Sequence, residues 1–303
     1  MGHPIPPLGP HLPGARRGGG RPHPRGARVT TPPALPRLLA VDLDGTLLRS
    51  DFSVSPRTRR AVAAAQADGI ETVFVTVRHA AAIEYIVEAL GLSGEAVCCG
   101  GAGLWRIPSM ELTEAYLIDT ETARETAARV KRALPDARIG WMLPDRRVGY
   151  APDYPEPLLI GESFRQDPAA LDTPVLKLFA VSPRLREITT GEVEGFLGGL
   201  VDVSHHNSGV IDLVVPGVSK IVALEKLCAA RGVTPAEVIA FGDARTDLEM
   251  IRWAGRGVFM GNAEPALHAE ADLIAPSNDE DGVAAVLERL LADPSTVPVK
   301  VSR

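Results

Sequence analysis

Residues 38–46 read Leu-Leu-Ala-Val-Asp-Leu-Asp-Gly-Thr, an apolar run that stops on two carboxylates one residue apart and then turns on a glycine. Such a run, bounded by turn formers, predicts a strand buried on both faces, the kind found inside a parallel sheet. Alternation along a strand sends Asp42 and Asp44 to the same side, and Gly45 frees the backbone to turn away. Two like charges so close each resist ionisation unless a cation lies between them. The same tetrapeptide also reads as an ordinary turn with an Asx cap, so the meaning of the pair depends on what the rest of the chain brings to it.

Working outward, the spacing predicts a helix over 56–68 with Ser55 as its cap and Gly69 as its stop, then a strand over 70–76. A helix over 80–90 ended by Gly91 follows, then a strand over 95–99 running into Gly100 and Gly101. After an irregular stretch the alternation returns. Strands are expected over 211–215, 238–241, 257–260 and 272–274, with helices over 219–230, 246–253 and 281–292. This order specifies an α/β protein with a three-layer, Rossmann-like parallel sheet core. Residues 104–207, rich in proline and with helices expected over 120–133 and 185–197 and a strand over 175–181, read as an inserted α+β unit. The core is then 38–103 plus 208–292, with 293–303 as a C-terminal tail.

Composition narrows the classes. The 303 residues carry 32 basic and 38 acidic side chains, a net charge of −6, while residues 1–36 hold five arginines and no acid, which leaves −11 on the rest. An acidic body lacks the basic face that nucleic-acid binding requires. Residues 1–36 also contain ten prolines and seven glycines, too little apolar surface to offset the entropy of ordering, and are expected to be disordered. No apolar run is long enough to span a membrane. The three cysteines, Cys98, Cys99 and Cys228, have no disulfide or zinc spacing. They point to a reducing, cytoplasmic setting and to a metal held by oxygen.

A second acidic strand end decides between the two readings of Asp42 and Asp44. Gly242-Asp243-Ala244-Arg245-Thr246-Asp247 follows the apolar run Val238–Phe241 and opens a helix. Ligands bind at the carboxyl ends of the strands in such sheets, so two acidic ends converge on one crevice. Asp247 reads either as part of that cluster or as a charge at a helix N-terminus. Thr76, ending its strand, is either a donor to a phosphoryl oxygen or a helix cap. Lys220, opening a helix after Pro216-Gly217-Val218-Ser219, is either an anion ligand or a surface charge. Arg78 and Lys177 are open in the same way, between substrate or inter-unit contacts and exposed charges. Trp105, Trp141, His205 and His206 are better read as core or turn residues than as pocket lining.

Together these residues resemble the haloacid-dehalogenase-like phosphohydrolases, in particular the Cof-type branch (subclass IIB) with a large α/β cap inserted in the core. The resemblance covers 38–103 and 208–292, where Asp42–Thr46, Thr76, Lys220 and Gly242–Asp247 occur in the family's order, joined by Gly261-Asn262-Ala263 and Asp281-Gly282-Val283-Ala284. It implies that Asp42 is a nucleophile forming an aspartyl phosphate and Asp44 a general acid and base. It implies Mg²⁺ on the Asp42 and Asp243 carboxylates and the Asp44 backbone carbonyl, with Asp247 in support. Thr76, Lys220 and Arg78 would then meet the phosphorylated substrate. The implied function is hydrolysis of a small phosphorylated metabolite, such as a sugar phosphate. The alternatives are a phosphomutase of the same fold and a non-catalytic module that binds a phosphorylated ligand. Three positions depart from the family pattern: Val77 stands where it has glycine, Thr246 where it has asparagine, and Gly100 where it has asparagine.

Overall fold

A computed structural model describes residues 34–155, 161–206 and 208–300. The expected disordered tail, 1–36, lies outside the described residues as far as residue 33. Its last part is tied down, because the Ala34 carbonyl accepts a hydrogen bond from Arg256 at 2.8 Å.

The run at Leu38–Val41 forms β1, buried along its whole length. It is followed by α1 (Pro56–Ala67), β2 (Glu71–Val75), α2 (Glu84–Leu90) and β3 (Gly94–Cys98). Ser55 caps α1 by accepting the Thr58 N–H, as its position predicts. The chain then makes a hairpin of β4 (Gly103–Ile107) and β5 (Glu111–Ala115). Next come α3 (Thr120–Ala133), β6 (Arg138–Met142), β7 (Val148–Tyr150), β8 (Ser163–Arg165), β9 (Lys177–Val181), α4 (Thr190–Leu197), β10 (Asp202–His206) and β11 (Val210–Val214). It closes with α5 (Lys220–Ala230), β12 (Val238–Gly242), α6 (Leu248–Trp253), β13 (Arg256–Phe259), α7 (Pro265–His268), β14 (Leu273–Ile274) and α8 (Gly282–Ala292).

Two sheets result. The first runs β14-β13-β12-β1-β2-β3-β4-β5, parallel from β14 to β3, with the β4–β5 hairpin added antiparallel at one edge. Alternation along β1 divides its residues between the two faces. Leu39 and Val41 join the core that contains residues of α1, α2 and α8, while Leu38 and Ala40 join the one that contains residues of α5 and α6. The second sheet runs β10-β11-β9-β6-β7-β8 and buries its own apolar face, including Ile139, Trp141, Leu178 and Ile211, against α3 and α4.

The sheet memberships correct the expected boundaries of 103/104 and 207/208. Residues 103–115 belong to the core sheet, and the strand at 210–214 pairs with β9 and β10 in the cap. An antiparallel edge hairpin carries the same alternating pattern as a strand of an inserted unit, so sequence pattern alone does not assign its partner. Residues 293–300 are no free tail either, since Lys300 donates to the carbonyls of Ile251, Arg252 and Ala254. Trp105 and Trp141 are fully buried, as expected. Among the described residues, no helix is long and apolar enough to cross a membrane.

Candidate active site

The parallel register pairs Val41 with Phe241 on one side and with Phe74 on the other. Asp42, Asp243 and Thr76 therefore leave the sheet at the same edge. Counting on from Leu38 and Ala40, Asp42 falls on the side of the sheet that α5 covers, and there it meets Lys220. Ser219 caps α5 by accepting the Val222 N–H, which sets Lys220 at the first position of the helix.

Lys220 is 5% exposed and stands between two carboxylates, donating to Asp42 Oδ1 at 2.6 Å and to Asp247 Oδ1 at 2.7 Å. Asp247, fully buried, accepts the backbone N–H groups of Asp243 and Ala244 on its other oxygen at 3.2 and 3.0 Å. The loop after β12 is thus folded around it. Asp243 accepts from the Thr46 hydroxyl at 3.1 Å, and carboxylate oxygens of Asp42, Asp243 and Asp247 lie within 4.8 Å of one another. Gly45 makes this approach possible. Its φ is +74°, and a Cβ there would sit 2.3 Å from Asp243 Oδ2. Asn262 pins the same turn by donating to the Gly45 carbonyl at 2.8 Å.

The electrostatics of the cluster follow from its burial. Burial raises the Asp42 pKa well above the ordinary carboxylate value, with Lys220 opposing and Asp247 reinforcing. Burial, then the Asp247 charge, pushes Asp243 up to about 6. Burial disfavours the Lys220 ammonium, but Asp247 and Asp42 outweigh it and hold it charged. Three carboxylates beside one ammonium, two of them with pKa values raised by burial, call for further positive charge before they ionise together, and they offer oxygen donors only. That donor set fits a hard divalent cation such as Mg²⁺.

Asp44 is elsewhere. Strand geometry ends at Val41 and the backbone turns at Gly45, so the alternation expected to place Asp44 beside Asp42 does not extend that far. Its carboxylate is gripped by the Arg78 fork, at 2.7 Å from Nε and 2.5 Å from Nη2, outside the cluster of three. Arg78, with Nη1 shared between Ala82 and Tyr85 and its guanidinium over the Phe52 ring, is committed to holding Asp44. Thr76 is fully buried, and its Oγ1 accepts the Arg78 N–H at 3.1 Å, leaving its own proton free to donate.

A cavity of about 480 Å³ opens beside Lys220, between the core residues Val77, Gly100, Ser219 and Thr246 and the cap residues Lys177, Ser204 and Asp212. Lys177 is no exposed charge: it is 3% exposed, 3.0 Å from Asp212, and donates to the Val77 carbonyl at 2.9 Å. His206 meets the other Asp212 oxygen at 3.2 Å, and His205 lies against the Leu185 carbonyl. Two of the departures have structural accounts. Val77 is not among the residues with positive φ, so its backbone does not require glycine, and Gly100, at φ +68°, occupies a left-handed position that glycine and asparagine share. Thr246 lines the cavity. Thr46 and Asn262 entered the sequence reading only as motif members, and Asp212 not as a site residue, because Asp243, Gly45 and Lys177 meet them only once strands far apart in the chain are paired.

The haloacid dehalogenase-like hydrolase family model matches residues 39–287. The chain is 29% identical over 271 residues to the pyridoxal phosphate phosphatase YbhA of Escherichia coli, covering 82% of this chain and 96% of that one. It is 29% identical over 276 residues to the HMP-PP phosphatase of Yersinia enterocolitica, covering 85% and 96%. A haloacid dehalogenase-like hydrolase from Bacteroides thetaiotaomicron superposes with a TM-score of 0.72 at 27% identity, over 84% of this chain and 99% of that one.

Proposed function

The chain belongs to the haloacid dehalogenase-like hydrolase family, and on that premise we infer that it is a Mg²⁺-dependent phosphatase of a small phosphorylated metabolite, working through an aspartyl phosphate on Asp42. The observation that carries this reading is that carboxylate oxygens of three aspartates lie within 4.8 Å of one another, two of them bonded to one buried lysine. The phosphatase relatives, one acting on pyridoxal phosphate and another on HMP-PP, support the substrate class. The cavity lining is mixed, and its polar side chains, among them Ser204, Asp202 and Thr246, support a hydroxyl-bearing leaving group such as a sugar.

In this mechanism the Asp42 carboxylate attacks phosphorus, and the bond to the leaving oxygen breaks as Asp44, protonated on one oxygen that has left the Arg78 fork while the other stays held, delivers that proton to it. Asp44 then takes a proton from the water that cleaves the aspartyl phosphate, releasing orthophosphate and restoring Asp42. Lys220 counters the burial that disfavours the Asp42 carboxylate and offers positive charge to the phosphoryl oxygens, to which Thr76 donates its hydroxyl proton. Asp42 and Asp243, with the Asp44 carbonyl, would hold Mg²⁺, and Asp247 would orient Lys220 and the β12 loop. Bound Mg²⁺ supplies charge neutralisation and orientation of the phosphoryl group. Arg78 enters as the residue that aims Asp44, in place of the direct substrate contact expected from sequence.

The test is a screen of phosphorylated metabolites for orthophosphate release with and without Mg²⁺, with Asp42→Asn as the blank. Hydrolysis that requires both Mg²⁺ and Asp42 is expected. Wild-type turnover by Asp42→Asn overturns the mechanism, and an isomeric phosphate seen by phosphorus NMR with little free phosphate replaces hydrolysis by a mutase.

A further inference from the structure

The segment Thr76–His79, which links β2 to the helical turn before α2, is held from two sides. The Val77–Arg78 peptide has both of its polar groups occupied. Its carbonyl accepts from Lys177 Nζ at 2.9 Å, and its N–H donates to Thr76 Oγ1 at 3.1 Å. One residue on, His79 Nε2 donates to the Leu143 carbonyl at 3.0 Å. Lys177 opens β9 and Leu143 follows β6, so both partners belong to the cap. Between these two clips lies Arg78, whose guanidinium grips Asp44 through two hydrogen bonds. Keeping an ammonium 3% exposed is costly, and the cap provides Asp212 as its counter-charge and His206 as a partner for Asp212. That provision keeps a cation in place whose hydrogen bond to the core, among the described residues, goes to a single backbone carbonyl in the site.

We propose that Lys177 is a positioning residue through which the seated cap fixes the Val77–Arg78 peptide, and through Arg78 the Asp44 carboxylate, so that proton delivery to the leaving group depends on cap seating. This rests on Asp44 acting as the general acid. The physical consequence is specific. Loosening Asp44 slows departure of leaving groups that need a proton and spares those that leave as stable anions.

The experiment measures kcat/KM for a series of substituted phenyl phosphates, from p-nitrophenyl to p-methoxyphenyl, with the full chain and saturating Mg²⁺. The variant is Lys177→Met with Asp212→Asn, which removes both buried charges together so that neither is left unpaired. The wild type is expected to depend shallowly on leaving-group acidity. The double variant is expected to lose at least about tenfold more on the p-methoxyphenyl ester than on the p-nitrophenyl ester. An even loss across the series, or none, overturns the proposal, because a merely structural lysine affects every ester alike. If the double variant does not fold, Arg78→Lys leaves the cap pair intact and loosens the same fork, and an even loss there also overturns the proposal. A wild type that hydrolyses no member of the series, while Asp42→Asn matches it, removes the phosphatase reading and this inference with it.

Discussion

Gly45 shows how much of this site depends on a missing side chain. Its left-handed φ of +74° already disfavours any L residue, and a Cβ would sit 2.3 Å from Asp243 Oδ2. Gly45→Ala is therefore expected to push Asp243 away from Asp42 and to lower Mg²⁺-dependent turnover by about 10²-fold, as misplacements near 1 Å do. Steady-state kinetics across a Mg²⁺ titration check this, and turnover within twofold of wild type counts against the packing argument. Asp42 and Asp243 were legible in the sequence because each stands at the end of an apolar run, where position follows from local pattern, whereas Lys220, at the start of a helix, read equally as a surface charge until its burial between two carboxylates was seen. Thr46 and Asn262 stood inside legible motifs, but their roles did not show, because their partners Asp243 and Gly45 lie 197 and 217 residues away. Asp44 was half legible: its chemistry follows from the motif, but its direction depends on where the strand stops, which alternation alone does not set.

At the scale of elements, the contact between the segment after β2 and the end of β6 gives a pH-dependent stability. His79 is 2% exposed; its Nε2 donates to the Leu143 carbonyl, and its Nδ1 is buried without a partner. A second proton has nowhere favourable to go. Burial lowers its pKa from 6.5 to about 4, the Leu143 carbonyl and Asp145 opposing, Lys177 and Arg146 reinforcing. Because the folded value is the lower one, the unfolded chain takes up a proton first. This contribution to stability is whole above pH 6.5 and is lost as pH falls towards 4, by up to about 3 kcal/mol. His79→Gln, which keeps a donor for Leu143, is expected to flatten that part of the acid limb. Urea midpoints for both proteins between pH 7 and pH 4.5 measure it, and parallel curves exclude the role.

The elements also mark where sequence pattern stops being decisive. The helix at 120–133 was readable to the residue, since Asp119 caps it and its apolar face is continuous. β11 was readable as a strand but not as a member of its sheet, and the β4–β5 hairpin fell inside the stretch that reads as irregular. Val210–Val214 carries the apolar character of a core strand because it lies inside the cap sheet between β9 and β10, where both edges are paired. Strand existence is local, and sheet membership is a long-range choice.

For the whole molecule the decisive quantity is the balance between a distributed charge and a concentrated one. The −11 spread over residues 37–303 is screened within about 8–10 Å at physiological salt, so it does not keep a phosphorylated substrate out. Ionising Asp42, Asp243 and Asp247 together beside the one ammonium of Lys220, in a buried site where screening is weak, opposes folding until a cation joins them. Mg²⁺ is therefore expected to stabilise the folded chain in the absence of any substrate. At a hundredfold excess over its dissociation constant the gain is about 2.7 kcal/mol, a rise in Tm of roughly 5 °C for a chain of this size. The comparison is between metal-chelated protein and protein with MgCl₂, with NaCl matched for ionic strength so that general screening cancels. Asp243→Asn removes one ligand and one of the repelling charges, so it is expected to raise the Tm of the chelated protein and to erase most of the Mg²⁺ response. An undiminished Mg²⁺ shift in that variant would place the cation elsewhere, and no shift in the wild type would leave the three carboxylates without their counter-ion.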